Sequence, residues 1–263
     1  MKIATWNLNS IRTRQDQVLS WLKGQDIDVL CLQETKVIDQ DFPRSPFEEL
    51  GYHVYIYGQK AYNGVAIFSR LNIESVIMGF TPILGADQVG ELDDQKRVIA
   101  GVIDDICIVN VYIPNGSSVG SDKYEYKLQW LNRLRDYLQQ MLIKYPHLCI
   151  CGDFNIAPED RDIYNPQNRE NHIMASAAER QALDAIANLG LADGFRKFTQ
   201  DGGHFTWWDY RAASFTRNRG WRIDHHYLSP GLYQNAIACY IDTEPRTQPK
   251  PSDHAPVILE IGT

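Results

Sequence analysis

Polar residues able to do chemistry recur at one kind of place in this sequence, directly after short apolar runs. TWNLN places Asn7 and Asn9 behind Ile3–Trp6, and LCLQETK places Glu34 behind Val29–Leu32. VNVYIPN sets Tyr112 and Asn115 at the end of another run, and LCICGDFN sets Asp153 and Asn155 behind Leu148–Cys151. RIDHHYLS carries Asp224 inside a strand pattern, and PSDHAPVILEI carries Asp253 and His254 just before a last run. Singly, an Asp or Asn after a strand is a turn or cap residue. Jointly, carboxylates, amides and a His at strand ends suit a hard cation. Mg²⁺ takes oxygen ligands, keeps several waters and needs only one or two protein carboxylates beside a substrate phosphate. Glu34 is the first candidate ligand, whereas no His/Cys cluster has zinc-ligand spacing. A carboxylate orients an imidazole or favours its charged form, and Asp253 stands next to His254. Such a His offsets the charge that builds on a phosphate in its transition state. Asp153 and Asn155 alternate along an extended segment and so face one phosphate. Asp153 can take a proton from water while Asn155 holds the water or a phosphate oxygen. The chemistry is metal-assisted hydrolysis of a phosphate ester.

The elements that must position these groups are mostly strands. Apolar runs rich in Val, Ile and aromatics predict strands at Lys2–Trp6, Val29–Gln33, His53–Gly58, Gly64–Ser69, Ile73–Met78, Val98–Ile103, Cys107–Tyr112, Leu148–Cys151, Ile223–Leu228, Ala236–Tyr240 and Val257–Ile261. Helices are predicted at Arg12–Lys23, at Asp122–Tyr145, where Tyr124, Leu128, Leu131, Leu134, Leu138 and Leu142 fall near helical spacing, and at Ser176–Leu189. The last opens on a capping-box pattern, Ser176 with Glu179. Many strands with short links and few helices predict two mainly antiparallel sheets packed face to face, with helices outside. There is a loose internal echo, WNLN and QET in one half, GDFN and SDHAP in the other. A pseudo-symmetric sandwich would bring those strand ends to one edge. No linker divides the 263 residues, so one domain spanning 1–263 is expected.

Composition bounds the setting. Hydrophobic residues at 44% can build a sizeable core, and 22% charged residues is an ordinary globular share. The formal net charge of −7 is awkward for a nucleic-acid binder, but a carboxylate cluster adds negative charge and one face can differ from the whole. Five scattered cysteines lack a disulfide-framework spacing. Cys149 and Cys151, on one face of a strand, read as buried thiols. MKIATWNLNSIR lacks the apolar region of a secretory signal, and no run approaches the roughly 20 apolar residues that cross a bilayer. A cytoplasmic protein without membrane contact is expected.

The opening WN, LQETK, GDFN, RIDHHYLS and SDHAP, with KAYNGVAIFS (60–69) and GWRID, stand here in order over essentially the whole chain. The set resembles the exonuclease III family of apurinic/apyrimidinic (AP) endonucleases, within the endonuclease/exonuclease/phosphatase superfamily. That resemblance implies a four-layered α/β sandwich and Mg²⁺- or Mn²⁺-dependent hydrolysis. It implies incision of double-stranded DNA 5′ to an abasic site, with trimming of blocked 3′ ends and 3′→5′ exonuclease activity as companions; a monomer is the default expectation. Position by position, Glu34 matches the main metal ligand, with Asn7, Asn9 and Asp253 beside the ion. Asp153 matches the water-activating residue and Asn155 its partner. Tyr112 and Asn115 match phosphate-site residues, and Asp224 supports the site. Asp253 matches the orienter of His254, the phosphate-contacting His. Asn9 departs from relatives that carry Asp there, which weakens or shifts any metal position leaning on it. Two questions stay open: whether Asp153 or a Tyr112 phenolate generates the nucleophile, and whether one or two ions act.

HFTWWDYRAASFTRNRGWRID interleaves Trp207, Trp208, Phe215 and Trp221 with Arg211, Arg217, Arg219 and Arg222, a pattern that grips phosphates and packs on sugars or bases. By the resemblance, Trp207, Trp208, Trp221 and Ile223 match an apolar pocket for a flipped-out abasic sugar. Tyr62 in KAYNG is a groove-facing candidate, Arg97 a phosphate or ion-pair candidate, and the polar, structureless stretch 161–172 a DNA-facing one. Two rivals keep the same motifs: an esterase for inositol phosphates or phospholipid head groups, and a non-catalytic DNA-binding module.

Overall fold

The computed structural model describes residues 1–167 and 171–262. Its strands form two six-stranded sheets. The first has the order β11 (Ala236–Ile241), β12 (Val257–Ile261), β1 (Lys2–Asn7), β2 (Val29–Gln33), β4 (Val65–Ser69), β3 (His53–Tyr57). The second has the order β5 (Ser75–Met78), β6 (Val98–Ile103), β7 (Ile106–Tyr112), β8 (His147–Asp153), β10 (Asp224–Leu228), β9 (Ala192–Asp193). Neighbouring strands run antiparallel except for one parallel pair in each sheet, β1 with β2 and β7 with β8. A parallel pair needs a crossover. Helix Ile11–Gly24 supplies the first and helix Asp122–Lys144 the second. Each sheet thus carries one strand–helix–strand unit; the expected echo of GDFN with SDHAP does not coincide with it, since SDHAP precedes β12 of the first sheet.

The strands read as continuous apolar runs because both of their faces are covered. In β7, Cys107, Val109 and Val111 face a core shared with Trp130, Leu134 and Leu138 of the 122–144 helix. Ile108 points the other way, into a core shared with Ile3, Cys31 and Ile67 of the opposite sheet. A third core lies between the first sheet and Val18, Trp21 and Leu22 of the 11–24 helix. The layers are thus helix, sheet, sheet, helix, the α/β sandwich expected. The helix at Ala177–Ala187 begins on the expected capping box of Ser176 and Glu179. Cys31, Cys107, Cys149, Cys151 and Cys239 are all buried and unbridged, with Cys149 and Cys151 together in the core between the sheets. No helix among the described residues is long and apolar enough to cross a membrane.

Several boundaries differ from prediction, and they matter at the site. β1 extends through Asn7 and β8 through Asp153, so both residues belong to ladders rather than to the loops beyond them. β10 starts at Asp224, not Ile223. β9, two residues long, carries no sequence signal. Within the stretch 161–172, positions 168–170 lie outside the described residues. Its first part is structured: Asp160–Asp162 forms a 3₁₀ turn and Ile163 bridges to Trp221.

Gly152 precedes Asp153 at φ +143, and a Cβ there would stand 1.9 Å from the carbonyl oxygen of Val111 on β7. Only glycine lets the parallel pair close at this point. Gly152→Ala combines backbone strain with overpacking, about 3 kcal/mol together. Its melting temperature is expected to fall by roughly 10 °C, measured by calorimetry; an unchanged melt would show that the ladder opens there without cost.

Candidate active site

Strand register assembles the first row of the site. Asp153 pairs with Tyr112 across the parallel ladder and with Asp224 across the antiparallel one. In the other sheet Asn7 pairs with Gln33, and Glu34 follows directly. Asn7 then joins the two sheets: its Nδ2 donates to Glu34 Oε1 at 2.8 Å and to Asp153 Oδ2 at 2.9 Å. Behind it, Gln33 Nε2 donates to Thr5 Oγ1 at 2.9 Å and to Asn110 Oδ1 at 2.7 Å. Asn110 Nδ2 reaches across to the backbone oxygens of Leu32 and Ala66 at 3.0 and 2.9 Å. Thr5, Asn7, Gln33 and Asn110 are all buried.

The turns leaving these strands are left-handed at non-glycine residues, with φ of 48° at Asn9, 51° at Glu34, 55° at Lys36 and 50° at Asn155. Such conformations are uncommon outside glycine and persist where surrounding contacts over-determine them. Here Ser10 N donates to Glu34 O at 2.8 Å and Lys36 N to Asn63 O at 2.9 Å, while Asn155 N donates to Asp153 Oδ1 at 2.9 Å. The turns aim the Glu34 and Asn155 side chains back over the strand ends. Asn155 Nδ2 donates to Asp153 Oδ2 at 3.2 Å and to Ile113 O at 3.0 Å, and its Oδ1 accepts from Asn115 Nδ2 at 3.1 Å.

His254 is oriented by Asp224, not by its neighbour Asp253. Nδ1 of His254 lies 2.9 Å from Asp224 Oδ2, and Nε2 points to Asp153 Oδ2 at 3.8 Å. Asp253 instead accepts from Trp207 Nε1 at 3.0 Å and from Asn9 Nδ2 at 3.2 Å. Adjacent residues on an extended segment face opposite ways, so an orienting carboxylate has to come from another strand. Asp153, Asp224 and His254 bring ligand-type atoms within 4.8 Å of one another, a buried acid–His cluster.

Burial and mutual charge set the protonation states. Burial, with the nearby Asp224 charge, pushes the Asp153 carboxyl up to about 7 against the pull of His254. Burial opposes charge on His254, but Asp224, Asp153 and Asp253 outweigh it and raise the imidazole to about 10. Burial also acts on Glu34 and Asp253, yet both are held below the usual carboxylate range, by Lys36 and Asn7 in one case and by His254, Trp207 and Asn9 in the other. Burial and the Glu34 charge drive the Tyr112 phenol well above its ordinary value, against Arg97, whose guanidinium lies 4.5 Å from the ring centroid. Of the two candidate bases, Asp153 is the one poised near neutrality.

The donors around Glu34 fit a hard cation. Glu34 Oε2 and Asn9 Oδ1 already converge on one positive charge, the Lys36 ammonium, at 2.8 and 2.7 Å. Glu34 Oε2 and Asn9 Oδ1 are oxygen ligands of the kind Mg²⁺ takes, whereas Asn7 turns its Nδ2 to Glu34 and its Oδ1 accepts from Asn9 N. Lys36 carried no sequence signal beyond its place in LQETK.

The substrate side divides in two. Trp207, Trp221 and Ile223 pack with Ala157, Ile163 and Met174 into one apolar cluster beside Asp253. The His172 ring lies 5.7 Å from that of Trp221. Trp208 does not join them: it is buried against Phe205, Phe215 and Ala255 and donates to Asn218 Oδ1 at 3.2 Å. Arg222 is likewise buried, its guanidinium held by Asp162 at 2.6 Å and Asp193 at 2.7 Å, and so is no phosphate gripper. Arg211 is tied to Asp209, and Arg219 lies over the Tyr164 ring. On the other flank a groove of about 540 Å³ runs from Tyr112 and Asn115 past Arg97 to Tyr62 and Lys123. Tyr62 is 70% exposed.

Comparison with known proteins accords with this geometry. Residues 4–254 match the endonuclease/exonuclease/phosphatase family, which is divalent-metal-dependent. Exodeoxyribonuclease III of Haemophilus influenzae is 34% identical over 272 residues, covering 99% of each chain. Two solved structures superpose over the whole of both chains: a 3′-phosphatase from Neisseria bound to product DNA hairpin, 38% identical with a TM-score of 0.95, and an AP endonuclease from Archaeoglobus fulgidus, 40% identical with a TM-score of 0.93. The chain belongs to the endonuclease/exonuclease/phosphatase family, and within it to the DNA-repair nucleases of the exodeoxyribonuclease III and AP endonuclease kind.

Proposed function

We propose that this nuclease is a single catalytic domain over residues 1–263. It acts as a monomer in the cytoplasm, incises double-stranded DNA 5′ to abasic sites and trims blocked 3′ ends, with 3′→5′ exonuclease activity as a companion. The observation that carries this reading is the apolar cluster of Trp207, Trp221 and Ile223 set against Asp253, one residue from His254. This cluster would wall a site for a sugar without a base, and an abasic residue is cheap to flip because no base pair is lost. The groove past Arg97 and Tyr62 offers the strand a charged and aromatic track despite the net charge of −7. The unbridged thiols accord with a reducing compartment.

In the reaction Asp153 takes the proton from the attacking water, with Asn7 and Asn155 fixing the carboxylate. Cationic His254, held by Asp224, faces the phosphate and offsets its developing charge. Asn115 and Tyr112 offer further donors to phosphate oxygens. Glu34, with Asn7, Asn9 and Asp253 near it, would hold Mg²⁺ or Mn²⁺, which supplies charge neutralisation at the phosphate.

Asp153→Asn is expected to lower kcat by about 10²–10⁴ on a duplex carrying one abasic site while leaving the melt and DNA affinity near wild type. Near-normal turnover would remove Asp153 from the role. Beside it, an intact 3′-recessed duplex and a phosphoinositide, each run with Mg²⁺ and with EDTA, separate endonuclease, exonuclease and lipid-headgroup readings; the phosphoinositide is expected to be inert. Glu34→Ala should lose most activity at low Mg²⁺ and recover part of it at high Mg²⁺. Unchanged metal affinity by calorimetric titration would exclude Glu34 as ligand.

The pH profile follows from the two shifted groups. Asp153 works ionised, so kcat/KM should rise with pH through about 7. His254 works protonated, so the rate should fall as pH passes about 10. A divalent ion beside Glu34 draws the acid limb lower, and the two limbs belong to the coupled cluster rather than to either residue alone. A rate independent of pH between about 5 and 11 would contradict both assignments.

A further inference from the structure

Outside the reacting groups one buried charge touches the site from behind. Lys127 lies in the 122–144 helix, and its side chain is wholly enclosed. Its ammonium donates to the main-chain oxygen of Asn155 at 2.8 Å, to that of Asn115 at 3.2 Å and to Glu179 Oε1 at 2.6 Å. These are the two residues whose side-chain amides meet, Asn115 donating to Asn155 and Asn155 in turn to Asp153. One of them sits in a left-handed turn that needs an outside constraint. Glu179 is equally committed. Its carboxylate accepts from Met174 N at 3.1 Å, Ser176 N at 3.0 Å and Ser176 Oγ at 2.7 Å. Met174, at φ 69°, packs in the apolar cluster with Trp221.

An ammonium sealed from water is costly unless all its protons are used. A buried ion pair adds little net stability compared with apolar residues of the same volume. Here each ammonium proton is assigned to a site-bearing segment. We propose that Lys127 is a positioning residue: it clamps the backbones of Asn115 and Asn155 so that their amides are fixed over the phosphate, and Glu179 ties that clamp to the wall of the sugar pocket. Sugar binding and phosphate chemistry would then share one rigid support.

The inference rests on the DNA-incision reading, and the wild-type enzyme on an abasic duplex is the control that separates the two. No wild-type cleavage would remove the function; it would leave nothing for Lys127 to position. The test is Lys127→Met/Glu179→Gln, a double variant that leaves no unpaired buried charge. Expected is a cooperative melt, KM within about threefold of wild type and kcat lower by about tenfold or more. Glu179→Gln alone keeps the lysine contacts to both carbonyl oxygens, so it should lower the melting temperature while holding kcat. Lys127→Gln/Glu179→Gln, whose shorter amide reaches one carbonyl, should recover part of kcat and serves if the Met variant does not fold. Wild-type kcat in the folded double variants would overturn the proposal. So would a kcat loss in Glu179→Gln as large as in the doubles, since turnover would then follow packing alone.

Discussion

The site depends on an amide that serves two sheets at once. Asn7 ends one strand of the first sheet, and its Nδ2 binds both Glu34 of that sheet and Asp153 of the other. Apolar packing between the sheets is non-directional and would tolerate a slide of an ångström or more. The hydrogen bonds of Asn7, Gln33 and Asn110 are directional and, apart from the partly buried one to Glu34, enclosed, so a slide would leave amides and carboxylates unsatisfied at a cost of about 1–3 kcal/mol each. The polar groups between the sheets thus set the separation of the carboxylates, and the core around Ile3, Ile67 and Ile108 fills in behind them.

Charge balance explains how so many acids coexist there. His254 carries one positive charge among Asp153, Asp224 and Asp253, and Lys36 carries another beside Glu34. Two carboxyls, Glu34 and Asp253, are stabilised as anions, and Asp153 is left near neutrality. Pushing the acidities of neighbouring carboxyls apart is what divides their roles. Asp153 is set apart by its burial and by the neighbouring Asp224 charge, which outweigh the pull of His254.

Much of this was legible in the sequence, and what was missed has a common cause. Apolar runs ending in Glu34, Asp153 and Asn155 marked strand ends correctly, because β propensity and burial agree there. Three assignments to neighbours failed together: Asp253 as partner of His254, Trp208 beside Trp207, and Arg222 among the phosphate-facing arginines. Each pairs residues adjacent in an extended chain, where successive side chains point apart. Trp221 and Ile223 pack into the apolar cluster with Trp207, and Arg222 between them faces the buried acids Asp162 and Asp193. Lys127 was missed for another reason: a lysine in a helix reads as solvated. Yet it lies three residues after Tyr124 and four before Leu131, on the buried stripe, where a charge must be matched. No local pattern could pair it with Glu179, since helix packing brings together residues 52 apart in sequence.

The ammonium of Lys36 bridges Glu34 and Asn9, the oxygen cage proposed for the ion, and would compete with it there. An oxygen cage whose charges are already met does not rely on an ion to hold it together, unlike domains that fold only around their metal. For the ion proposed there, loading would be an exchange in which the tethered Lys36 ammonium moves aside, and the apparent affinity would be the difference between two competing attractions.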